Sequence, residues 1–561
     1  MSRKLRRNLS VLLIGISLLL ITGCQSTTDL ENIAVEKKIQ EQDVTQETVK
    51  EVDYEKKLFD TSYVHTIDIE IAESDWKDLK ENPLDKTKYQ VNVTIDGEKI
   101  EDVSFATKGN TSLSSVASDN DSDRYSYKLN FGKFVDGQTY YGLDKLNLNN
   151  IYADATYMKD YMSYEIFKEA GVAAPLTSYV FITVNGEAVG LYLAIEEIGE
   201  SYLERTRAGE GDLYKVETEQ LNNAGGMKMP MPPNGGQMRE NGEMPMPPNG
   251  GQMGENGEMP IPPNGGQRGP GGGFGESSKG ASLSYTDDKV ESYTDIFNNA
   301  ETEATEEDMA RVITALKNLS EGDIEKALDT EEIIKYFVAH NFVLNYDSYT
   351  GNMLHNFYLY ENEGKLSMLP WDYNLAYGAF GGNHQPGKKQ GEEAEDKKQQ
   401  PSIKSEKQGV ETETEGGSGA TELINTAIDT PLSGASEEDR PMWSWIVNNQ
   451  TYLDTYHEYY DKLIKNYFLS GKFEAEIQRV YEMILPYVEK DPTAFYSVDE
   501  FKKGYETLKQ FCLLRAQSIE KQLNGTLGST SLTQNSEAFI DASSINIEDM
   551  GRQNMGMPNK R

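Results

Sequence analysis

The stretch Asn345-Tyr-Asp-Ser-Tyr-Thr-Gly-Asn-Met-Leu-His-Asn-Phe-Tyr-Leu-Tyr360, continued by Leu366-Ser-Met-Leu-Pro-Trp-Asp-Tyr-Asn374, decides how this chain is read. Helical patterning over Thr330–Asn345 runs into it, and the runs Asn356–Tyr360 and Leu366–Leu369 read as a hairpin. Asp347 then falls in a loop after a helix, Asn356 at the mouth of a strand and Asp372 just after the next strand. Asp and Asn beside hairpins are most often turn residues, so these three positions alone do not define a site.

Protein kinases use the same layout, and the chemistry of phosphoryl transfer explains it. One carboxylate orients the incoming hydroxyl and accepts its proton, while a second carboxylate and an amide oxygen hold magnesium against the phosphates. Two upstream stretches add to the pattern. Lys128 lies in the alternating strand Ser126-Tyr-Lys-Leu-Asn-Phe131, where an inward-facing lysine is placed to pair with phosphate. Lys108-Gly-Asn-Thr-Ser112 follows the strand Val103–Thr107 and offers backbone N–H groups and hydroxyls in a Gly-containing loop suited to anions, although Gly-Asn is also an ordinary turn.

Further out, alternating runs begin at Val64. His65-Thr-Ile-Asp-Ile-Glu-Ile71 and Tyr89-Gln-Val-Asn-Val-Thr-Ile95 read as strands, the second followed by the turn Asp96-Gly97. Ala155–Ala170 reads as a helix closed by Gly171 and Pro175, and Tyr179–Val184, Asn185-Gly186, Val189–Ile195 as a hairpin. Glu306–Leu319 and most of Met442–Leu523 carry helical spacing. These elements predict one α+β domain over residues 56–525, with an antiparallel sheet region from about Val64 to Val216 and a mainly helical region after it.

Composition explains why 561 residues hold only one such domain. Half of the 20 prolines fall between Pro230 and Pro270, where Met229-Pro-Met-Pro-Pro-Asn-Gly-Gly-Gln recurs from Met244 and again, degenerate, from Met259. A short unit of Pro, Gly and Asn cannot bury a face, so 222–280 reads as a disordered insertion. The segment 381–434, dense in Lys, Glu and Gln, reads as a second insertion, and 526–561 as a polar tail. Lys+Arg 54 against Asp+Glu 92 gives a net charge of −38, a field that repels phosphate backbones and argues against nucleic acid as a partner. Two cysteines exclude a disulfide framework; Cys512 reads as a buried core thiol.

The N-terminus has the form of an export signal: Arg3-Lys-Leu-Arg-Arg7, then the apolar stretch Val11–Ile21. Its ending, Ile21-Thr22-Gly23-Cys24, resembles a bacterial lipobox. That resemblance implies removal of residues 1–23 and lipidation of Cys24, with 24–55 as a flexible tether. The protein is then expected outside the cytoplasm, anchored to the cell membrane through its lipid.

Five stretches together resemble the spore-coat kinase CotH family, an atypical, reduced protein-kinase fold: Lys108–Ser112, Tyr141-Gly-Leu-Asp-Lys-Leu-Asn-Leu-Asn-Asn150, Gly190-Leu-Tyr-Leu-Ala-Ile-Glu-Glu197, His355–Tyr360 and Pro370–Asn374. The resemblance covers roughly 64–216 and 319–523. It implies an ATP-dependent kinase, using magnesium or manganese, that phosphorylates hydroxyl side chains, Ser above all, of envelope or coat proteins. Asp347 matches the catalytic-loop aspartate, Asp372 the metal-binding aspartate and Asn356 the asparagine before the strand. Asn352, five residues after Asp347, competes with Asn356 for the metal. Lys128 matches the phosphate-contacting lysine, with Asp160 as first choice of acidic partner and Glu165 as second. Lys108, Gly109, Asn110, Thr111 and Ser112 match a nucleotide-binding loop, although Lys108 stands where an Arg is common. Ile195–Ile198, including Glu196 and Glu197, matches the hinge whose backbone bonds adenine. A silent kinase-like scaffold or adhesin, binding protein or glycan, is the alternative, because ATP is scarce outside the cytoplasm.

Overall fold

The computed structural model describes residues 53–119, 121–218, 279–380 and 418–551. The signal segment, Cys24, most of the tether and the Met/Pro/Gly repeats lie outside them. Within them the fold is α+β.

The strands of the first part are β1 (His65–Glu70), β2 (Tyr89–Ile95), β3 (Glu98–Lys108), β4 (Ser126–Asn130), β5 (Lys145–Asn149), β6 (Thr177–Val184) and β7 (Glu187–Glu196). Their alternating patterns put every second side chain inward: Ile67, Val93, Phe105, Leu129, Leu146, Leu148 and Val180 fill one apolar core. The turns match the sequence, with Asp96 and Gly97 both at positive φ, as a two-residue hairpin connection demands. One expectation is corrected. The sheet is not open and wholly antiparallel but closes into a barrel in the order β1-β2-β3-β4-β5-β7-β6, sealed by parallel pairing of β1 with β6. Closure gives the backbone groups of both edge strands a partner, and no local sequence signal announces a pairing between strands so far apart.

The second part holds a three-stranded sheet, with β9 (Phe357–Asn362) between β8 (Asp212–Lys215) and β10 (Lys365–Pro370). Around it pack helices that include α1 (Lys159–Glu169), α2 (Thr330–Val343), α3 (Gln450–Leu463), α4 (Lys472–Val488) and α5 (Val498–Leu523). Cys512 is buried on α5. Helix α1 starts later than the patterning predicts. Asp154 accepts hydrogen bonds from the N–H groups of Thr156 and Lys159 (2.9 and 2.8 Å), holding the preceding residues in a loop.

Three boundaries also shift. Tyr54 is fully buried and its hydroxyl donates to Glu196 (2.6 Å), so packed structure begins before residue 56. Ser418–Ile424 is helical, and Ile424 and Ile428 join the main core. The polar tail is packed as far as Gly551: Leu527, Ile545 and Met550 are buried, and Met550 accepts a backbone hydrogen bond from Ala155 (3.1 Å). A few well-placed apolar residues suffice to dock a segment whose average composition is polar.

Candidate functional site

The outer face of the barrel makes one wall of a cleft of about 840 Å³. Period-two alternation builds that wall. On β3 Ser104, Ala106 and Lys108 face the cleft; on β4 Ser126, Lys128 and Asn130; on β5 Lys145, Asn147 and Asn149. The intervening Phe105, Tyr127, Leu129, Leu146 and Leu148 belong to the barrel core. Ladder register puts Ala106, Lys128, Asn147 and Ile195 in one row across β3, β4, β5 and β7. Gly109–Ser112, at the end of β3, lines the same cleft, with Gly109 at φ +102°.

The β9–β10 hairpin supplies other lining groups. Helix α2 ends at Leu344 in the left-handed conformation, and the loop after it carries Asp347 into the cleft. Asn356 immediately precedes β9 and Asp372 follows β10; both hold positive φ (59° and 60°), which Asn and Asp tolerate better than other side chains. The Asp347 carboxylate is held at both oxygens, by His355 Nε2 on Oδ1 (2.7 Å) and by Asn356 Nδ2 on Oδ2 (3.1 Å). His355 lines the cleft too, and sequence reasoning gave it no role. Its place beside Asn356 at a strand mouth is the one local signal that could have pointed to it.

The structure thus brings Lys108–Ser112, Lys128, Asp160, Glu197, Asp347, Asn356 and Asp372 to one cleft. It does not bring Glu165, Glu196 or Asn352. Glu165 pairs with Lys168 one helical turn away (3.5 Å). Glu196 is fully buried and holds the barrel to its surroundings through Tyr54, Arg205 and the Leu176 N–H. Asn352 sits against Gly434, outside the cleft lining. The partner of Lys128 is also corrected. It is neither Asp160 nor Glu165 but Glu197, at 2.6 Å, from the residue after β7. Asp160 instead accepts the N–H of Tyr373 (2.7 Å), tying the first turn of α1 to the residue after Asp372.

Electrostatics separates these groups. Burial works against charge on Glu197, but the Lys128 ammonium and the hydrogen bonds from Lys128 and Asn147 hold its carboxyl below the usual range. Burial, then the neighbouring Asp372 charge, pushes Asp160 up to about 7. Burial raises Asp372 as well, against the opposing pull of Lys108. Lys108 is lowered to about 8 by burial; its ammonium donates to Asn149 Oδ1 (2.7 Å) and lies over the Trp371 ring. His355 is raised, because the Asp347 charge and hydrogen bond outweigh its burial.

A divalent ion fits this donor set. The Asp372 carboxylate makes no side-chain hydrogen bond among the described residues, and it stands near the negative charges of Asp160 and Asp347. No group of three His, Cys, Asp or Glu side chains converges as a metal cage among the described residues. Magnesium needs none, since it takes one or two carboxylates and completes its shell with water and phosphate oxygens.

A closed strand barrel joined to a helical part across a polar cleft, with acid, amide and lysine groups converging there, defines the class: an α+β protein with a candidate phosphate-handling site. The family model described as "CotH kinase protein" matches residues 105–519, and the chain belongs to that family. It is 18% identical over 393 residues to the inner spore coat protein H of Bacillus subtilis (strain 168), covering 70% of this chain and 82% of that protein. A shorter match, 34% over 74 residues, is to the inner spore coat protein H-like protein of the same organism, covering 13% of this chain and 22% of the relative.

Proposed function

We propose that this protein is an ATP-dependent protein kinase of atypical, kinase-like fold that transfers the γ-phosphoryl group to serine hydroxyls of envelope or coat proteins. The observation that carries the reading is the convergence of the Lys128–Glu197 ion pair, Asp347, Asn356 and Asp372 on one cleft. Lys128, oriented by Glu197, meets the phosphates. Asp347, oriented by His355 and Asn356, accepts the proton of the attacking hydroxyl as the new O–P bond forms and the bond to ADP breaks. Asp372, with the amide oxygen of Asn356, would hold a magnesium or manganese ion, which neutralises charge on the phosphates. The family name supports the reaction class, and the relative named as an inner spore coat protein supports a coat setting for the substrate. The lipobox-like Ile21–Cys24 extends this to a domain lipid-anchored outside the cytoplasm. No helix among the described residues is long and apolar enough to cross a membrane.

The division of labour is testable by binding alone. Calorimetric titration of MgATP into the full chain should show a single site, and Asp372→Asn should weaken it about tenfold or more, because a charge facing the ion is lost. Unchanged affinity in that variant contradicts the assignment of Asp372, and a chain that binds no nucleotide returns the molecule to a scaffold.

A further inference from the structure

Lys159 is fully buried at the start of α1, and a lysine ammonium carries three N–H donors. All three are met by backbone carbonyls from separate segments: Ala153 O (2.8 Å), Asn374 O (3.2 Å) and Gly551 O (2.8 Å). Asp154 beside it supplies the counter-charge. A buried cation is costly to hold unless its donors are met, so one nitrogen ties these segments to each other.

One of the three segments carries the candidate metal ligand. Helix α1 holds residues 372–374 along their length. The Asp372 N–H donates to Tyr164 Oη (3.1 Å), the Tyr373 N–H to Asp160 Oδ1 (2.7 Å), and Asn374 O accepts from Lys159. Asp372 keeps a φ of 60°, a conformation that persists where neighbours impose it. Another of the three segments lies beyond the region that the family model matches, 105–519. Residues 545–551 lie against α5 and the loop before α1. Ile545 and Met550 are buried, and Asp549 pairs with Lys503 of α5 (2.9 Å). The approach is close: a Cβ on Gly504 of α5 would lie 3.0 Å from Asp549 O and 3.1 Å from the Ala155 carbonyl carbon.

We infer that residues 545–551 form a strap that sets the position of the metal-binding turn, with Lys159 as the positioning residue that carries its effect to Asp372. The inference rests on the kinase reading, in which Asp372 holds the metal, and adds to it a control seated outside the cleft. With the strap lifted, the Lys159 ammonium has an unmet donor open to water, and the turn 372–374 loses a fixed anchor. Groups that orient a metal ligand from behind are worth about 10–100-fold in metal affinity.

The test uses the full chain in two variants. Gly551→Val is strained at φ +77° and sets a Cβ 2.7 Å from Ala155 N and 2.9 Å from Ala153 O, so it lifts the strap. Lys159→Met removes the ammonium and nearly keeps the side-chain volume. In both, hydrogen exchange over residues 371–376 should quicken about tenfold or more while exchange over β3 and β4 stays at the wild-type rate, a pattern that a general loss of folding does not produce. The magnesium concentration that half-saturates ATP binding should rise about 10–100-fold. If 545–551 exchanges freely in Gly551→Val while 371–376 stays as protected as in wild type, the inference is overturned and the kinase reading stands. A loosened turn with unchanged magnesium dependence overturns it equally. Wild type that shows no magnesium-dependent binding of ATP overturns the kinase reading and the inference with it.

Discussion

Lys108 hydrogen-bonds Asn149 rather than a carboxylate, and burial lowers its ammonium to about 8. The sign of the consequence is fixed. Below that value Lys108 is cationic and attracts phosphate; as pH rises through it, the charge and the attraction are lost. MgATP affinity should therefore fall between about pH 7 and about pH 9, and Lys108→Arg should flatten the profile, because a guanidinium stays protonated. An arginine variant with an unchanged slope in calorimetry would assign the titration to another group. At this scale the sequence was readable where geometry is local. Asp347, Asn356 and Asp372 flank a hairpin that its own residues specify, and Lys128 sits in an alternating strand. Glu197 as the partner of Lys128 was not readable, because the direction of a side chain just beyond β7 depends on how the barrel closes. Asn147 lay in plain alternation, Lys145-Leu-Asn-Leu-Asn149, but its hydrogen bond to Glu197 was not readable for the same reason.

Between elements, one buried ion pair links the barrel to the helical part. Arg124, in the loop before β4, meets Asp491, just after α4, with both side chains fully buried. Its guanidinium also donates to Asn150 O (2.9 Å) and Thr493 Oγ1 (2.8 Å). Asp491 in turn accepts the Leu191 N–H (2.9 Å), so strand β7, the loop before β4 and the end of α4 meet at one carboxylate. Gly190 makes room for it: a Cβ there would overlap the Asp491 carboxylate. Asp491→Asn leaves Arg124 buried without a counter-charge and should cost about 3–5 kcal/mol of stability, read from denaturant unfolding. A loss within the error of the wild-type curve would show that water or a neighbouring dipole compensates the arginine. Elements themselves were largely legible, since β1, β2, β6, β7, β9 and β10 follow alternation and turn residues. The β1–β6 pairing that closes the barrel was not, because its information is spread over distant segments.

For the whole molecule, the net charge of −38 opposes the approach of a nucleotide, and the cleft answers with Lys86, Lys88, Lys108, Lys128, Lys145 and Lys215 on its walls. Placement of the domain is a separate question from its chemistry. If Cys24 carries the lipid, a palmitate analogue should label the protein in cells and Cys24→Ala should abolish the label and release the chain; label retained in that variant would contradict the anchor. The docking of Leu527, Ile545 and Met550 was hidden in a tail of polar average. The most direct test of the central claim is transfer of labelled γ-phosphate from ATP to dephosphorylated casein by the full chain, wild type beside Asp347→Asn, with MgATP affinity measured in parallel. The predicted result is phosphoserine formed by wild type and a rate lower by about 10²–10⁴-fold in Asp347→Asn at nearly unchanged affinity. Equal transfer by the two proteins, or MgATP bound tightly by wild type with no phosphoserine formed, would contradict it.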